Sequence, residues 1–117
     1  MKNNYTYSAN ITNIVDGDTI DATVDLGFCL YAHMRFRLNG IDTYETNSSD
    51  PVKKALGLQG KQYISDRILN KEVVLKTYKQ DKYGRYLCDV YLLDTNINLE
   101  MIEKGLAVGY TGGTKTI

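Results

Sequence analysis

Histidine is almost missing from this chain: His33 is the only one in 117 residues. A zinc site or a Ser-His-Asp triad would have to rest on that single ring, and no Gly-x-Ser-x-Gly turn accompanies it, so both chemistries are set aside. Cysteine is nearly as scarce. Cys29 and Cys88 are the only two, without Cys-x-x-Cys spacing or nearby histidines, and are expected to be reduced strand residues that act as small hydrophobes. Neither sign of charge is in excess, because fourteen Lys and Arg balance fourteen Asp and Glu. A polyanion would therefore be held by a local patch rather than by the overall field. Long apolar runs are absent. The first ten residues place no apolar stretch behind a basic start, so neither a leader nor a membrane anchor is expected, and the cytoplasm is the expected location.

What is present suits one compact domain. With 43% hydrophobic residues, residues 1–117 can bury one modest core but not two. Residues 5–15, 19–26 and about 28–38 alternate apolar and polar positions and are rich in β-branched and aromatic types, which predicts a three-stranded meander turned at Asp16-Gly17 and Gly27. Asp50-Pro51 supplies an N-cap with proline at the first helical position. A helix is expected from Pro51 to about Leu69, with Leu56, Tyr63, Ile64 and Ile68 on its inner face and Gly60 allowing close approach. Residues 72–78 and 86–93 predict two more strands. A short helix follows, capped by Asn98, with Leu99 and Ile102 inward and Gly105 just past its end. Residues 5–108 form the expected core, and residues 109–117 a loose glycine-rich tail. The expected fold is β-rich α+β: a five-stranded barrel of the oligonucleotide-binding type, one helix after the third strand and a short one after the fifth.

Three segments can carry chemistry. Asp16-Gly-Asp-Thr19 is a common turn. Phe36-Arg-Leu-Asn-Gly-Ile-Asp-Thr-Tyr-Glu-Thr46 places Arg37 on a strand and Asp42 and Glu45 just past its end. Asp81-Lys-Tyr-Gly-Arg85 is a polar loop between strands. Taken singly, each is explained by an ordinary turn or surface ion pair.

In this order the three segments resemble the staphylococcal nuclease family, or thermonuclease-like domains, over about residues 13–107. The family carries an Asp-Gly-Asp-Thr turn, a Phe-Arg-Leu strand leading into an Asp-Thr-Pro-Glu-Thr loop, and an Asp-Lys-Tyr-Gly-Arg loop. Gly105-Leu-Ala107 resembles its closing helix end. The resemblance implies calcium-dependent hydrolysis of DNA and RNA to 3′-phosphate ends; the scarcity of free calcium in cytoplasm keeps magnesium and manganese as alternative ions. It implies Asp18 and Asp42 as carboxylate metal ligands, Thr43 as a backbone-oxygen ligand and Asp16 as a supporting acid. Glu45, Arg37 and Arg85 fall on its catalytic positions, while Lys82, Tyr83 and Tyr110 fall where substrate is bound.

Those residue types suit the reaction. Four acids drawn together would repel one another, and a hard cation keeps them ionised. Arginine forks match the equatorial oxygens of a phosphodiester under attack. Glu45 suits the removal of a proton from the attacking water. The chain differs from the family at Tyr44, where the loop usually carries proline, so φ there is not fixed by a ring. Most of the ten tyrosines, such as Tyr5, Tyr7, Tyr31 and Tyr91, are assigned to strand packing; Tyr83 and Tyr110 are assigned to substrate. The leading expectation is thus a metal-dependent nuclease acting on DNA or RNA as a monomer, with no protein partner indicated. The alternatives are a nucleic-acid-binding module on the same fold that does not cut, and an interaction protein carrying a relic site.

Overall fold

Strand-forming residues with period-2 alternation build most of the molecule. A computed structural model describes residues 5–80 and 84–110. Strands β1 (Thr6–Asp16), β2 (Thr19–Gly27) and β3 (Leu30–Leu38) form the expected antiparallel meander. After the short β4 (Ile41–Asp42) and helix α1 (Pro51–Ile68) come β5 (Glu72–Gln80) and β6 (Tyr86–Leu92). Strands β7 (Thr95–Asn96) and β8 (Val108–Gly109) flank helix α2 (Ile97–Glu103). β1 pairs with β5, β5 with β6, and β6 closes on β3 in parallel through Phe36↔Tyr86, Arg37↔Leu87 and Leu38↔Cys88. The five long strands therefore make the closed barrel expected from the sequence, and closure removes most free sheet edge.

One face of each strand fills the barrel: Ile11 and Ile14, Ile20 and Val24, Phe36 and Leu38, Leu75, and Val90 are all buried. Ile64 and Ile68 of α1 and Ile97 and Met101 of α2 complete the core. The Asp50 side chain accepts from the Val52 and Lys53 amides with Pro51 next in line, as the sequence predicts. Among the described residues no helix is long and apolar enough to cross a membrane.

Several expectations are corrected. Gly57, not Gly60, is the tight approach on α1: a Cβ at Gly57 would lie 2.7 Å from the Glu45 carbonyl oxygen, whereas at Gly60 the nearest atom is 3.8 Å away. Leu56 is exposed, because the buried stripe runs through Gly57, Gly60, Ile64 and Ile68. Asn96, not Asn98, caps α2, accepting from the Leu99 amide, which leaves Leu99 exposed and Ile97 and Met101 inward. Gly105 does take the left-handed position after α2 at φ 72°. The Gly105 amide donates to Ile102 and the Leu106 amide to Met101, closing the helix end. Gly109 belongs to β8, paired with Ile41, rather than to the expected loose tail, of which residues 111–117 lie outside the described residues. Phe28 and Cys29 are not strand residues. They form the two-residue turn between β2 and β3 with φ of 57° and 62°, so Cys29 is exposed, while Cys88 is buried in β6. Burial pushes the Cys88 thiol pKa up. Tyr5 and Tyr31, expected to pack, are exposed.

Candidate active site

The Asp16-Gly17-Asp18 turn is pressed against the loop that follows β4. A Cβ at Gly17 would meet Thr43 Cγ2 at 3.1 Å and Oγ1 at 3.2 Å, so the glycine in this turn serves close packing onto Thr43. Asp18, on the far side of the turn, is buried. Its Oδ1 accepts from Thr19 Oγ1 at 3.1 Å and its Oδ2 from the Thr43 amide at 3.2 Å. Asp16 Oδ1 accepts from Thr46 Oγ1 at 2.7 Å and from the Thr46 amide at 3.4 Å. One turn thus grips both ends of the Thr43–Thr46 loop.

Arg37 lies beneath. β3 delivers it in a buried position, where Nη1 donates to the Ile41 carbonyl at 3.2 Å and Nη2 to Asp42 Oδ1 at 3.3 Å. The same Nη2 stands 3.7 Å from Asp18 Oδ2. Tyr110 stacks over the guanidinium, 4.9 Å from carbon to ring centre, a cation–π contact that covers one face of the charge. The Tyr110 amide donates to the Gly40 carbonyl, so the β4–β8 pairing carries Tyr110 to Arg37. Asp42 is wholly buried. Taking these three charges out of water costs several kcal/mol per ion, which the mutual attraction and hydrogen bonds offset.

The loop from Thr43 to Thr46 has no proline, and the structure shows what holds it instead. Besides the bonds to Asp16 and Asp18, α1 lies against its backbone, since a Cβ at Gly57 would also meet the Tyr44 carbonyl oxygen at 2.8 Å. The Ser48 amide donates to the Glu45 carbonyl. Glu45 itself is exposed. Arg85 is half-buried just before β6. It stands two residues from Leu87, the partner of Arg37 across the parallel closure. Lys82 and Tyr83 lie outside the described residues.

Asp18, Arg37, Asp42, Thr43 and Tyr110 are therefore in one contact group, with Glu45 on the adjoining loop and Asp16 bracing that loop. Among the described residues no three His, Cys, Asp or Glu side chains gather closely enough to hold a metal ion. Thr43 Oγ1 is buried and makes no hydrogen bond. Sequence reasoning missed Thr46, Gly57 and the buried Asn98. Asn98 Nδ2 donates to the Asn39 carbonyl at 2.9 Å and the Cys88 carbonyl at 3.0 Å, while its Oδ1 accepts from the Val90 amide at 3.1 Å. Asn98 thereby ties α2 to the turn that launches β4. A glycine inside an otherwise sound helix was the one available signal for Gly57.

Comparison with known proteins gives the family. Residues 35–116 match the family model described as staphylococcal nuclease homologue. An uncharacterized endonuclease of Haemophilus influenzae is 33% identical over 106 residues, covering 88% of this chain and 52% of that protein. The thermonuclease of Staphylococcus intermedius is 31% identical over 99 residues, covering 83% and 56%. That of Staphylococcus hyicus is 30% identical over 107 residues, covering 90% and 59%. The chain spans between half and two thirds of the length of these relatives.

Proposed function

The chain belongs to the staphylococcal nuclease family, and on that premise we propose that it is a divalent-metal-dependent nuclease that hydrolyses phosphodiester bonds of DNA or RNA. The observation that carries this reading is the buried guanidinium of Arg37 set between the carboxylates of Asp18 and Asp42. Two buried carboxylates, the Thr43 carbonyl and the buried Thr43 hydroxyl make an all-oxygen donor set with no sulfur or imidazole, which fits a hard cation whose remaining ligands are water. Such a cation, calcium, magnesium or manganese, supplies Lewis-acid charge at the phosphate and eases ionisation of a nearby water.

The remaining roles fall to side chains of this chain. Arg37 and Arg85 hold the phosphoryl oxygens and offset the charge that grows on them. Glu45, exposed on a loop braced by Asp16 and α1, takes the proton from the attacking water. The oxygen of that water bonds to phosphorus, the bond from phosphorus to the 5′-oxygen breaks, and the leaving oxygen is protonated from solvent. The products are a 3′-phosphate and a 5′-hydroxyl. Lys82, Tyr83 and Tyr110 contact the nucleotide in this reading, with Tyr110 leaving Arg37 or sharing it with the substrate.

The rival reading is a module on the same fold that binds nucleic acid without cutting it. Incubation with single-stranded DNA, duplex DNA and RNA, with each of the three ions and with chelator, separates the two. Cleavage that needs the ion and is lost in Glu45→Ala and Arg85→Ala is the expected result. Cleavage that survives chelation, or equal rates in those variants, sinks the mechanism, and ion-independent binding without cleavage establishes the module.

A further inference from the structure

The parallel closure of the barrel is interrupted at Asn39. β3 and β6 pair as far as Leu38↔Cys88, and the Asn39 amide still donates to the Cys88 carbonyl at 2.7 Å. In a parallel ladder that continued, the Asn39 carbonyl would then accept from the Val90 amide. Here a side chain stands between them. The Val90 amide donates to Asn98 Oδ1 at 3.1 Å, and Asn98 Nδ2 donates to the Asn39 carbonyl at 2.9 Å. The carboxamide of Asn98, only 2% exposed, is thus a wedge inserted into the ladder, and it satisfies both backbone groups that it separates. The same Nδ2 also reaches the Cys88 carbonyl at 3.0 Å and Asp89 Oδ1 at 3.3 Å, which fixes the way the amide faces. Ile97 and Met101, buried on either side of Asn98 in α2, anchor the wedge in the core.

The wedge sits where β3 must leave β6. The chain reverses at Asn39-Gly40, with Gly40 at φ 77°. β4 then returns so that the Ile41 carbonyl accepts from Arg37 Nη1 at 3.2 Å and Asp42 Oδ1 from Nη2 at 3.3 Å. The Gly40 carbonyl accepts from the Tyr110 amide at 2.9 Å. Asn98 is therefore joined to the guanidinium through its bond to Asn39, the turn, and the bond from Arg37 to Ile41.

We propose that Asn98 is a positioning residue for phosphodiester cleavage: by holding the Asn39 carbonyl away from β6, it sets the turn that aims Arg37 at the phosphate. This rests on the nuclease reading of the site. With an apolar side chain in place of Asn98, the Val90 amide and the Asn39 carbonyl would either stay unpaired in the core or close on each other. Closing extends the ladder by one bond and draws the turn, with the Ile41 carbonyl, off Arg37. A side chain that only docked α2 on β6 would need its bonds to Val90 and Cys88 but none to Asn39. The guanidinium has to meet the phosphate within a few tenths of an ångström, so a residue that never touches substrate can govern the rate.

Asn98→Ala and Gly40→Ala test this with two readouts. The first removes the wedge. The second strains the turn through its positive φ, while the new Cβ would meet nothing within 4 Å. In isotope-labelled wild-type protein the Arg37 Nη protons, held on Ile41 and Asp42, should give resolved NMR signals, assigned by their loss in Arg37→Lys. Both alanine variants should shift or average those signals, and kcat should fall about 10-fold or more with KM changed less than about 2-fold. Arg67→Lys, which loosens α2 from α1, is the control and should keep the Arg37 signals and kcat of the wild type. Unshifted Arg37 signals or wild-type kcat in a folded Asn98→Ala protein overturn the proposal. Where Asn98→Ala does not fold, unshifted signals and unchanged kcat in Gly40→Ala overturn it. A fall in kcat that Arg67→Lys matches at an equal loss of stability also overturns it, because Asn98 is then structural only. A wild-type chain that cuts nothing with any ion sinks the nuclease reading instead, and the Arg37 signals still decide whether Asn98 places the guanidinium.

Discussion

Two arginine–carboxylate clusters lie at opposite ends of α1's reach, and they are built differently. Between α1 and α2, Arg67 meets Glu100 as a closed fork, Nε to Oε2 at 2.7 Å and Nη2 to Oε1 at 3.0 Å, with the Tyr63 hydroxyl also donating to Oε2 at 2.9 Å. The Arg67 bonds hold the Glu100 carboxyl below its ordinary pKa against the opposing effect of burial, and the same bonds raise Arg67. Arg37 is more deeply buried, yet its contacts are longer: it divides Nη2 between Asp42 at 3.3 Å and Asp18 at 3.7 Å, and spends Nη1 on a carbonyl. A cluster whose purpose is to join two helices can close on itself. In the proposed function Arg37 receives a phosphate, and a cation held buried and oriented by longer contacts suits that role, at a cost in stability that the surrounding core sustains.

That contrast can be broken by experiment. The largest effect should come from Arg37→Lys, which keeps the charge but loses the fork: cleavage should fall on the order of 10²–10³-fold. Arg67→Lys should leave cleavage unchanged and lower stability instead. Equal losses of activity in the two variants would erase the distinction between them.

Next in size is Gly57→Ala. In an open helix this change would gain roughly 0.5–1 kcal/mol. Here the new Cβ would lie 2.7–2.8 Å from the Tyr44 and Glu45 backbone. The helix or the loop must move, and a loss of about 1–3 kcal/mol is expected, read from urea unfolding. A lower kcat with little change in KM should accompany it, because α1 would push on Glu45 as well as carry Arg67. A stabilised, fully active variant would show that α1 does not position the loop.

A smaller effect belongs to Glu100→Gln, about 1–2 kcal/mol near neutral pH, kept low by the partial exposure of Arg67. Its pH dependence has a definite sign. The Arg67 hydrogen bonds hold the folded carboxyl below its ordinary value of 4.5, so its contribution is complete above that value and fades as pH falls through the folded pKa. The melting temperature of the wild type should therefore fall more steeply with pH below about pH 4.5, and that of Glu100→Gln should do so less. The exposed Asp21–Arg35 pair is the control: its bond is also 2.7 Å, yet Asp21→Asn should cost less than about 1 kcal/mol because water screens it.

Much of this architecture was legible in the residues. Alternation marked the five barrel strands, and Asp50-Pro51 marked the start of α1, because periodicity and capping are local. The ends of α2 were half legible: Gly105 was found, but Asn98 was mistaken for the cap, since two asparagines two residues apart look alike until one of them is buried between β6 and the Asn39 carbonyl. The turn at Phe28-Cys29 was missed for a different reason. Neither residue favours positive φ, so the sequence there continues the strand pattern. Arg37, Asp18 and Asp42 were nominated by motif, but nothing local shows that one guanidinium nitrogen serves both acids, or that Tyr110 covers it.

The amino-acid order alone determined the inventory: the five long strands and two helices, which acids and arginines are available, and which turn and loop carry them. Tertiary structure alone decided what those groups do to one another. The parallel β3–β6 closure sets Arg37 beside the strand that follows Arg85, the β4–β8 pairing brings Tyr110 to Arg37, and Gly57 admits α1 to the backbone of Glu45. The reason is physical. Propensity and capping act over a few residues, whereas burial, shared hydrogen bonds and steric exclusion act between segments that only the closed barrel makes neighbours.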